Sequence, residues 1–418
     1  MPAAKAEHTW EGQSIHCQEC HGALFIRHGT RREKGRQVRQ ASLGRQPQAT
    51  NMKLRSTALL TAGIFALLGA CTSYETRNKI QIMSSSTPSH HTANHRFRNP
   101  PGSPVREGSA GEMLGFIMNQ LFSSFKTPIP SDHVLGGDEF RRQLAQARNP
   151  SVTWLGHSAF IIRLGGKIIL TDPFLGETAG PAGFGPKRFV AAPITGAELP
   201  KADVLLVSHN HYDHLDAPTI EAYPYKADIQ VIVPLGLGAF FTSRGYSKVI
   251  EQDWWESWHS GALKISTLPA LHNSGRGLRD KNKTLWASFG IFTDEGRIWF
   301  SGDTASGPVF DEIGKRAGPF DLALVAIGAY EPRKLMKGAH VTPEEAVELA
   351  MKVGARAAIG MHWGTIALTP ENPFEAPIKF RKAAEKLGLG AEKAVVMKIG
   401  ETVNLSAGDL TPPHLVQR

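Results

Sequence analysis

Cysteine is nearly missing from this chain: three residues in 418, Cys17, Cys20 and Cys71. So few thiols exclude a disulfide scaffold, and a chain of this size needs none. Long apolar runs are missing as well. The stretch Ala58 to Leu68 spans 11 residues, whereas a transmembrane helix needs about 20. Strong charge is missing from the body of the protein. Most of the formal +9 falls in the first 70 residues, where ten Lys and Arg face four acids. The nearly balanced remainder excludes a polyanion-binding surface, so nucleic acid is not an expected partner. With 41% hydrophobic and 20% charged residues, a wholly disordered or collagen-like chain is excluded too.

What is present begins with an address. Residues 52–71 read MKLRSTALLTAGIFALLGAC. Lys53 and Arg55 precede the apolar run, Gly69 and Ala70 follow it, and Cys71 closes it. That order is that of an export signal, and its Leu-Gly-Ala-Cys ending resembles a bacterial lipoprotein box with Cys71 as the lipidated residue. The expectation is an outer-membrane lipoprotein facing the periplasm and held by a lipid anchor; a cytoplasmic protein is the alternative. A signal should begin a protein, so residues 1–51 read as a non-native upstream extension. Cys17-Gln-Glu-Cys20-His21 inside it matches a haem-attachment or half-zinc pattern, but no second Cys pair completes a zinc site. Residues 72–112, rich in Ser, Thr, Pro and Asn, read as a flexible tether that includes His90, His91 and His95. Residues 113–149 read as a helical lead-in, with helices at Met113–Phe125 and Asp138–Ala145.

From residue 150 to 408 the pattern is that of one α/β domain. Strand-like runs fall at Val152–Leu155, Ala159–Leu164, Lys167–Thr171, Val204–Ser208, Gln230–Pro234, Leu263–Leu268, Ser288–Thr293, Arg297–Ser301, Leu322–Ile327, Ala357–Met361 and Ala394–Ile399. Helical stretches fall near Pro218–Tyr223, Gly236–Arg244, Val309–Lys315, Pro343–Lys352 and Pro377–Leu387. Thr342-Pro343-Glu344-Glu345 is a helix start, with proline in the first turn and a capping-box glutamate.

The chemistry concentrates at strand ends. Directly after Val204–Val207 comes Ser208-His209-Asn210-His211-Tyr212-Asp213-His214-Leu215-Asp216. Neutral imidazole and carboxylate are the ligand types of zinc and similar metals. Three histidines and two aspartates beside a buried strand are costly unless something satisfies them. Single residues at three later strand ends, His272, Asp303 and His362, bring the total to five His and three Asp, enough for two ions sharing a carboxylate. Taken alone, each of the three reads equally well as a structural histidine or a turn aspartate.

The order of these motifs over residues 150–405 resembles the metallo-β-lactamase superfamily. Thr153-Trp154-Leu155-Gly156-His157, Thr171-Asp172-Pro173, Asp253-Trp254-Trp255-Glu256, Ile327-Gly328-Ala329-Tyr330-Glu331-Pro332-Arg333 and His362-Trp363-Gly364-Thr365 further resemble its N-acyl-phosphatidylethanolamine-hydrolysing phospholipase D branch. The resemblance implies an αββα four-layer sandwich and two divalent metal ions, zinc first among them. His209, His211 and His272 would hold one ion; Asp213, His214 and His362 would hold the other; Asp303 would bridge them. It implies hydrolysis of a phospholipid phosphodiester by a metal-bound hydroxide that Asp213 helps to orient. Asp172 would hold a ligand histidine, with a turn aspartate as its plainer reading. His340 would be a general acid or phosphate donor, or else a cap on the next helix. His157 would line the site or be a buried structural histidine. Tyr330 and Arg333 would touch the head group or sit in a surface turn. Leu271 before His272, and Ala305-Ser306-Gly307 after Thr304, depart from the animal enzymes beside the metal site and bear on the substrate. A same-fold hydrolase of a lactone or sugar phosphate is the second reading, and a non-catalytic metal-binding envelope protein the third. Oligomeric state and metal identity are not legible.

Overall fold

A computed structural model describes residues 88–122 and 126–408, with 410 and 412. Cys17, Cys20, the signal-like segment and Cys71 lie outside the described residues.

Fourteen strands form two seven-stranded sheets among the described residues. The first runs β14(Thr402–Asn404)-β1(Ser151–Gly156)-β2(Ala159–Leu164)-β3(Lys167–Thr171)-β4(Val204–Leu206)-β5(Gln230–Pro234)-β6(Lys248–Gln252). The second runs β13(Ala394–Val395)-β12(Ala357–Met361)-β11(Leu322–Ala326)-β10(Gly296–Phe300)-β9(Ser288–Thr293)-β8(Leu263–Leu268)-β7(Ser257–Ser260). Each sheet is antiparallel on one side and parallel on the other: β3 to β6 in the first, β10 to β13 in the second.

Side-chain alternation explains the layers. In the first sheet Val152, Trp154, Phe160, Ile162, Ile169, Val204, Leu206 and Ile232 join Ile265, Phe289, Ile291 and Ile298 of the second in one core. The intervening residues, Ala159, Ile161, Leu170, Leu205, Val231 and Val233, face a separate outer core with Phe140, Ile220 and Phe241. These come from α2 (Gly137–Gln146), α3 (Ala217–Ala222) and α4 (Gly238–Thr242). On the other side α7 (Pro343–Lys352) packs on β11 and β12, and α8 (Ala376–Leu387) on β13. This is the expected αββα sandwich. Thr342 caps α7 through the expected capping box with Glu345.

Three edge strands, β6, β7 and β14, escape the sequence reading. β6 and β7 are short, polar and largely solvent-facing, and such edges carry no clear apolar alternation. A second difference lies at the front. The tether reading of 72–112 does not describe residues 88–107, which are tied to the domain. His91 bridges to Phe97, Phe97 N–H donates to Asn282 O (2.8 Å), and Glu107 N–H donates to Lys334 O (2.9 Å). Helix α1 (Ala110–Phe122) follows, with Leu114 and Met118 exposed. No helix among the described residues is long and apolar enough to cross a membrane.

Candidate metal centre

Every proposed ligand follows the end of a strand. His209, His211, Asp213 and His214 follow β4, His272 follows β8, Asp303 follows β10 and His362 follows β12. Their strands end at one edge of the sandwich, as in open α/β sheets whose crevices lie beyond the strand C-termini. All are buried except His211, which is partly open.

Three imidazoles form one group. His209 Nε2 lies 2.9 Å from His211 Nδ1, which lies 3.2 Å from His272 Nε2. The opposite nitrogens are already committed. Ser208 Oγ donates to Asp172 Oδ2 (2.6 Å), so it accepts from His209 Nδ1 (2.9 Å). His272 Nδ1 donates to Ala339 O (2.8 Å). His209 and His272 therefore turn lone pairs toward His211 Nδ1. Burial, joined by the neighbouring imidazoles, holds His209 and His272 well below the usual histidine range. Facing lone pairs with few protons to share are what a cation satisfies, so the donor set fits a divalent metal.

The second group contains carboxylates. His362 Nε2 is 3.2 Å from Asp303 Oδ1 and 3.5 Å from Asp213 Oδ2. His214 Nε2 is 3.1 Å from Asp303 Oδ2 and 3.5 Å from Asp213 Oδ2. His157 lies against the same carboxylate: burial pushes its pKa down to about 3, so its neutral Nε2–H donates to Asp213 Oδ2 (2.9 Å). Buried polar atoms are left without hydrogen-bond partners here, among them Asp303 Oδ1 and both nitrogens of His362. Such orphans are expensive unless a ligand serves them, and this group too fits a metal.

Asp303 stands between the groups. Its Oδ2 is also 3.9 Å from His209 Nε2 and 3.7 Å from His272 Nε2. Burial raises the pKa of Asp303, but His214, His362 and His340 outweigh it and keep the carboxylate well below its usual range. Burial likewise depresses His362, yet the charges of Asp303 and Asp213 lift it to about 9. His214 is raised in the same way.

Asp172 is fully buried. It accepts from His214 Nδ1 (2.7 Å) and from Ser208 N–H (2.7 Å). That aims His214 Nε2 at the centre, the geometry by which a carboxylate orients a ligand histidine. His157, Asp172 and His362 have φ of 54°, 33° and 62°. Left-handed backbone at non-glycine residues costs about 1 kcal/mol or more each, and such residues gather where a site is over-determined.

The remaining residues differ in placement. His340 Nδ1 is 3.9 Å from Asp303 Oδ2 and has no hydrogen-bond partner; burial lowers its pKa to about 4. Tyr330 and Arg333 each have polar partners within the protein. The Tyr330 hydroxyl meets Lys379 Nζ (3.2 Å), whereas Arg333 donates to Glu345 and to His340 O (2.7 Å). Arg333 thus braces His340 from behind. Sequence reasoning misses Arg276, which donates to Asn210 O (3.0 Å) and Leu215 O (2.6 Å) and so pins the loop carrying four proposed ligands. It misses Asn99 altogether, since nothing local marks that residue.

A two-sheet sandwich with a His/Asp centre at the strand ends defines a metallohydrolase. The chain belongs to the metallo-β-lactamase superfamily of metal-dependent hydrolases. The family described as "Beta-lactamase superfamily domain" matches residues 167–363. A UPF0173 metal-dependent hydrolase of Caldivirga maquilingensis is 30% identical over 258 residues, covering 60% of this chain and 96% of that protein. The N-acyl-phosphatidylethanolamine-hydrolyzing phospholipase D 1 of Caenorhabditis elegans is 41% identical over 225 residues, covering 51% of this chain. The match spans 63% of the nematode protein, less than two thirds of its length. Among solved structures, an isothiocyanate hydrolase from Delia radicum gut bacteria shares the fold, with a TM-score of 0.50 at 19% identity, covering 62% of this chain and all of that one.

Proposed function

We propose that this chain is a binuclear metallohydrolase that cleaves the phosphodiester of N-acyl-phosphatidylethanolamine or a related phospholipid at the head-group side, as a phospholipase D does. The observation that carries the two-ion reading is Asp303, whose Oδ2 stands between the groups, 3.1 Å from His214 Nε2 and 3.7 Å from His272 Nε2. His209, His211 and His272 would hold one ion, and Asp213, His214 and His362 the other. Zinc is the first choice for such ligands. When bound, the ions supply Lewis acidity toward phosphoryl oxygens and lower the pKa of water. Asp213, steadied by His157, orients the attacking water. His340 is neutral near pH 7 and offers a hydrogen bond toward a phosphoryl or leaving oxygen, with Arg333 holding its backbone. Similarity to the nematode phospholipase D supports the lipid substrate, as do Leu114 and Met118, exposed on α1.

The signal-like segment ending at Cys71 supports an envelope lipoprotein; globomycin-sensitive processing at Cys71 tests it, and unprocessed cytosolic protein sinks it. The enzymatic test is direct. Purified full-length chain, loaded with Zn²⁺, is given N-acyl-phosphatidylethanolamine in detergent micelles. Mass spectrometry should find phosphatidic acid and N-acylethanolamine, and neither product with Asp303→Asn. Two bound metals without lipid turnover would instead favour a lactone or sugar phosphate as substrate.

A further inference from the structure

Residues 88–107 lie outside the fold's strands and helices, yet they run past the loop that carries His272 and the segment that leads to His340. At the near end, His90 Nε2 and His91 Nε2 each meet one oxygen of Asp253, at 2.6 and 2.7 Å, and His90 stacks on Trp254 with ring centroids 4.1 Å apart. These are direct hydrogen bonds that satisfy one another, so the trio closes as a latch. At the far end, Glu107 is bonded to the 334–337 segment through Lys334 O and Lys337 Nζ (2.7 Å). Gly338 allows the close pass: a Cβ there would come within 2.9 Å of Arg106 N.

Between these anchors sits Asn99. Its Nδ2 donates to His272 O (3.0 Å), and its Oδ1 accepts from His272 N–H (3.1 Å). The same Oδ1 accepts from Trp286 Nε1 (3.1 Å). One amide therefore satisfies both main-chain polar groups of a single residue, and that residue is a proposed ligand. His272 has no helix or strand of its own to hold it, because it lies past the end of β8. On the side away from His211, its ring is held by Ala339 O, on the loop that the same strap touches at Gly338. Pro100 and Pro101 follow Asn99 directly and restrict the backbone there, which lowers the entropy lost on docking.

We infer that Asn99 is a positioning residue of the metal centre: by clamping the His272 backbone it sets where Nε2 stands relative to His209 and His211. This rests on the metal-centre reading above. The consequence is that the segment ahead of the sandwich is part of the active site and not a spacer.

The test is cobalt titration of the metal-stripped full-length protein, followed by visible absorption, for the wild type, Asn99→Ala and Asn99→Asp. Asn99→Asp keeps both acceptor contacts and the size of the side chain but sets a carboxylate oxygen against His272 O in place of the donor, so it breaks the clamp without leaving the gap of the alanine variant. Asn99→Ala should weaken uptake by the His209/His211/His272 group by about 10-fold or more and shift that group's absorption. The Asp213/His214/His362 group should be unchanged, and Asn99→Asp should also shift the first group's affinity and absorption. Wild-type affinity and spectrum in both variants would overturn the inference. So would equal weakening of both groups together with a lowered melting temperature, which marks a general structural role. If the wild type itself takes up no cobalt, the metal-centre reading fails and Asn99 falls with it; if only the Asn99 effect is missing, the centre stands.

Discussion

The two ligand groups meet at one carboxylate but are held in different ways. The His209, His211 and His272 group is all imidazole, and neutral partners support it: a serine hydroxyl behind His209 and a main-chain carbonyl behind His272. The Asp213, His214 and His362 group is built on charge, with buried Asp172 behind His214. Burial keeps the first group's histidines unprotonated, whereas carboxylates lift His214 and His362 in the second. The difference teaches that one half of the centre is ready for a cation at neutral pH. The other half must exchange protons for it.

Losing the shared member should cost most. Asp303→Asn removes the charge that serves both groups, and kcat should fall by about a thousandfold, the several kcal/mol that paired metal ions contribute to transition-state charge. Metal analysis of the variant should show loss from both groups; retention of two tightly bound ions would undo the bridging role. Next, Asp172→Asn should weaken metal binding by about 10- to 100-fold, selectively in the group containing His214. An equal loss in the all-histidine group would erase the distinction between them.

Protons sharpen the comparison further. The folded pKa of His362, about 9, lies above the ordinary histidine value of 6.5. Its contribution to the stability of metal-stripped protein is therefore fully present below 6.5 and lost as pH rises through about 9. The melting temperature of stripped protein should fall across that window and fall less in His362→Gln. Calorimetry near pH 7.5 in buffers of different ionisation enthalpy should find about one or two protons released on filling the second group and almost none on filling the first. The smallest effect belongs to Ser208→Ala. It removes the hydroxyl behind His209, worth about 1 kcal/mol, so cobalt affinity of the first group should drop only a few-fold. A loss as large as that of Asp172→Asn would show that the hydroxyl, through its bond to Asp172, supports both groups.

Much of this was legible along the chain. Strands such as Ala159–Leu164 and Lys167–Thr171 announce themselves because alternate residues face two different cores. The segment from His209 to His214 is visible because four proposed ligands share one loop, so their proximity is local. Thr342 and Glu345 mark their helix for the same reason. The edge strands β6 and β7 are hidden because their faces meet water. The partners of Arg333 are hidden along the chain because Glu345 and the His340 carbonyl come beside it only in the fold.

The sequence by itself thus determined the layers, the loop of candidate metal ligands and the residue types available for chemistry. It did so because helix and strand periods, caps and short motifs act over a few residues. Only the tertiary structure decided which lone histidines and aspartates join that loop. His272, Asp303 and His362 converge because β8, β10 and β12 end at one edge of the same sheet. Asn99 reaches His272 across 173 positions of chain. Its hydrogen bonds are directional and pairwise and bury no apolar stripe, so they leave no periodic trace along the sequence.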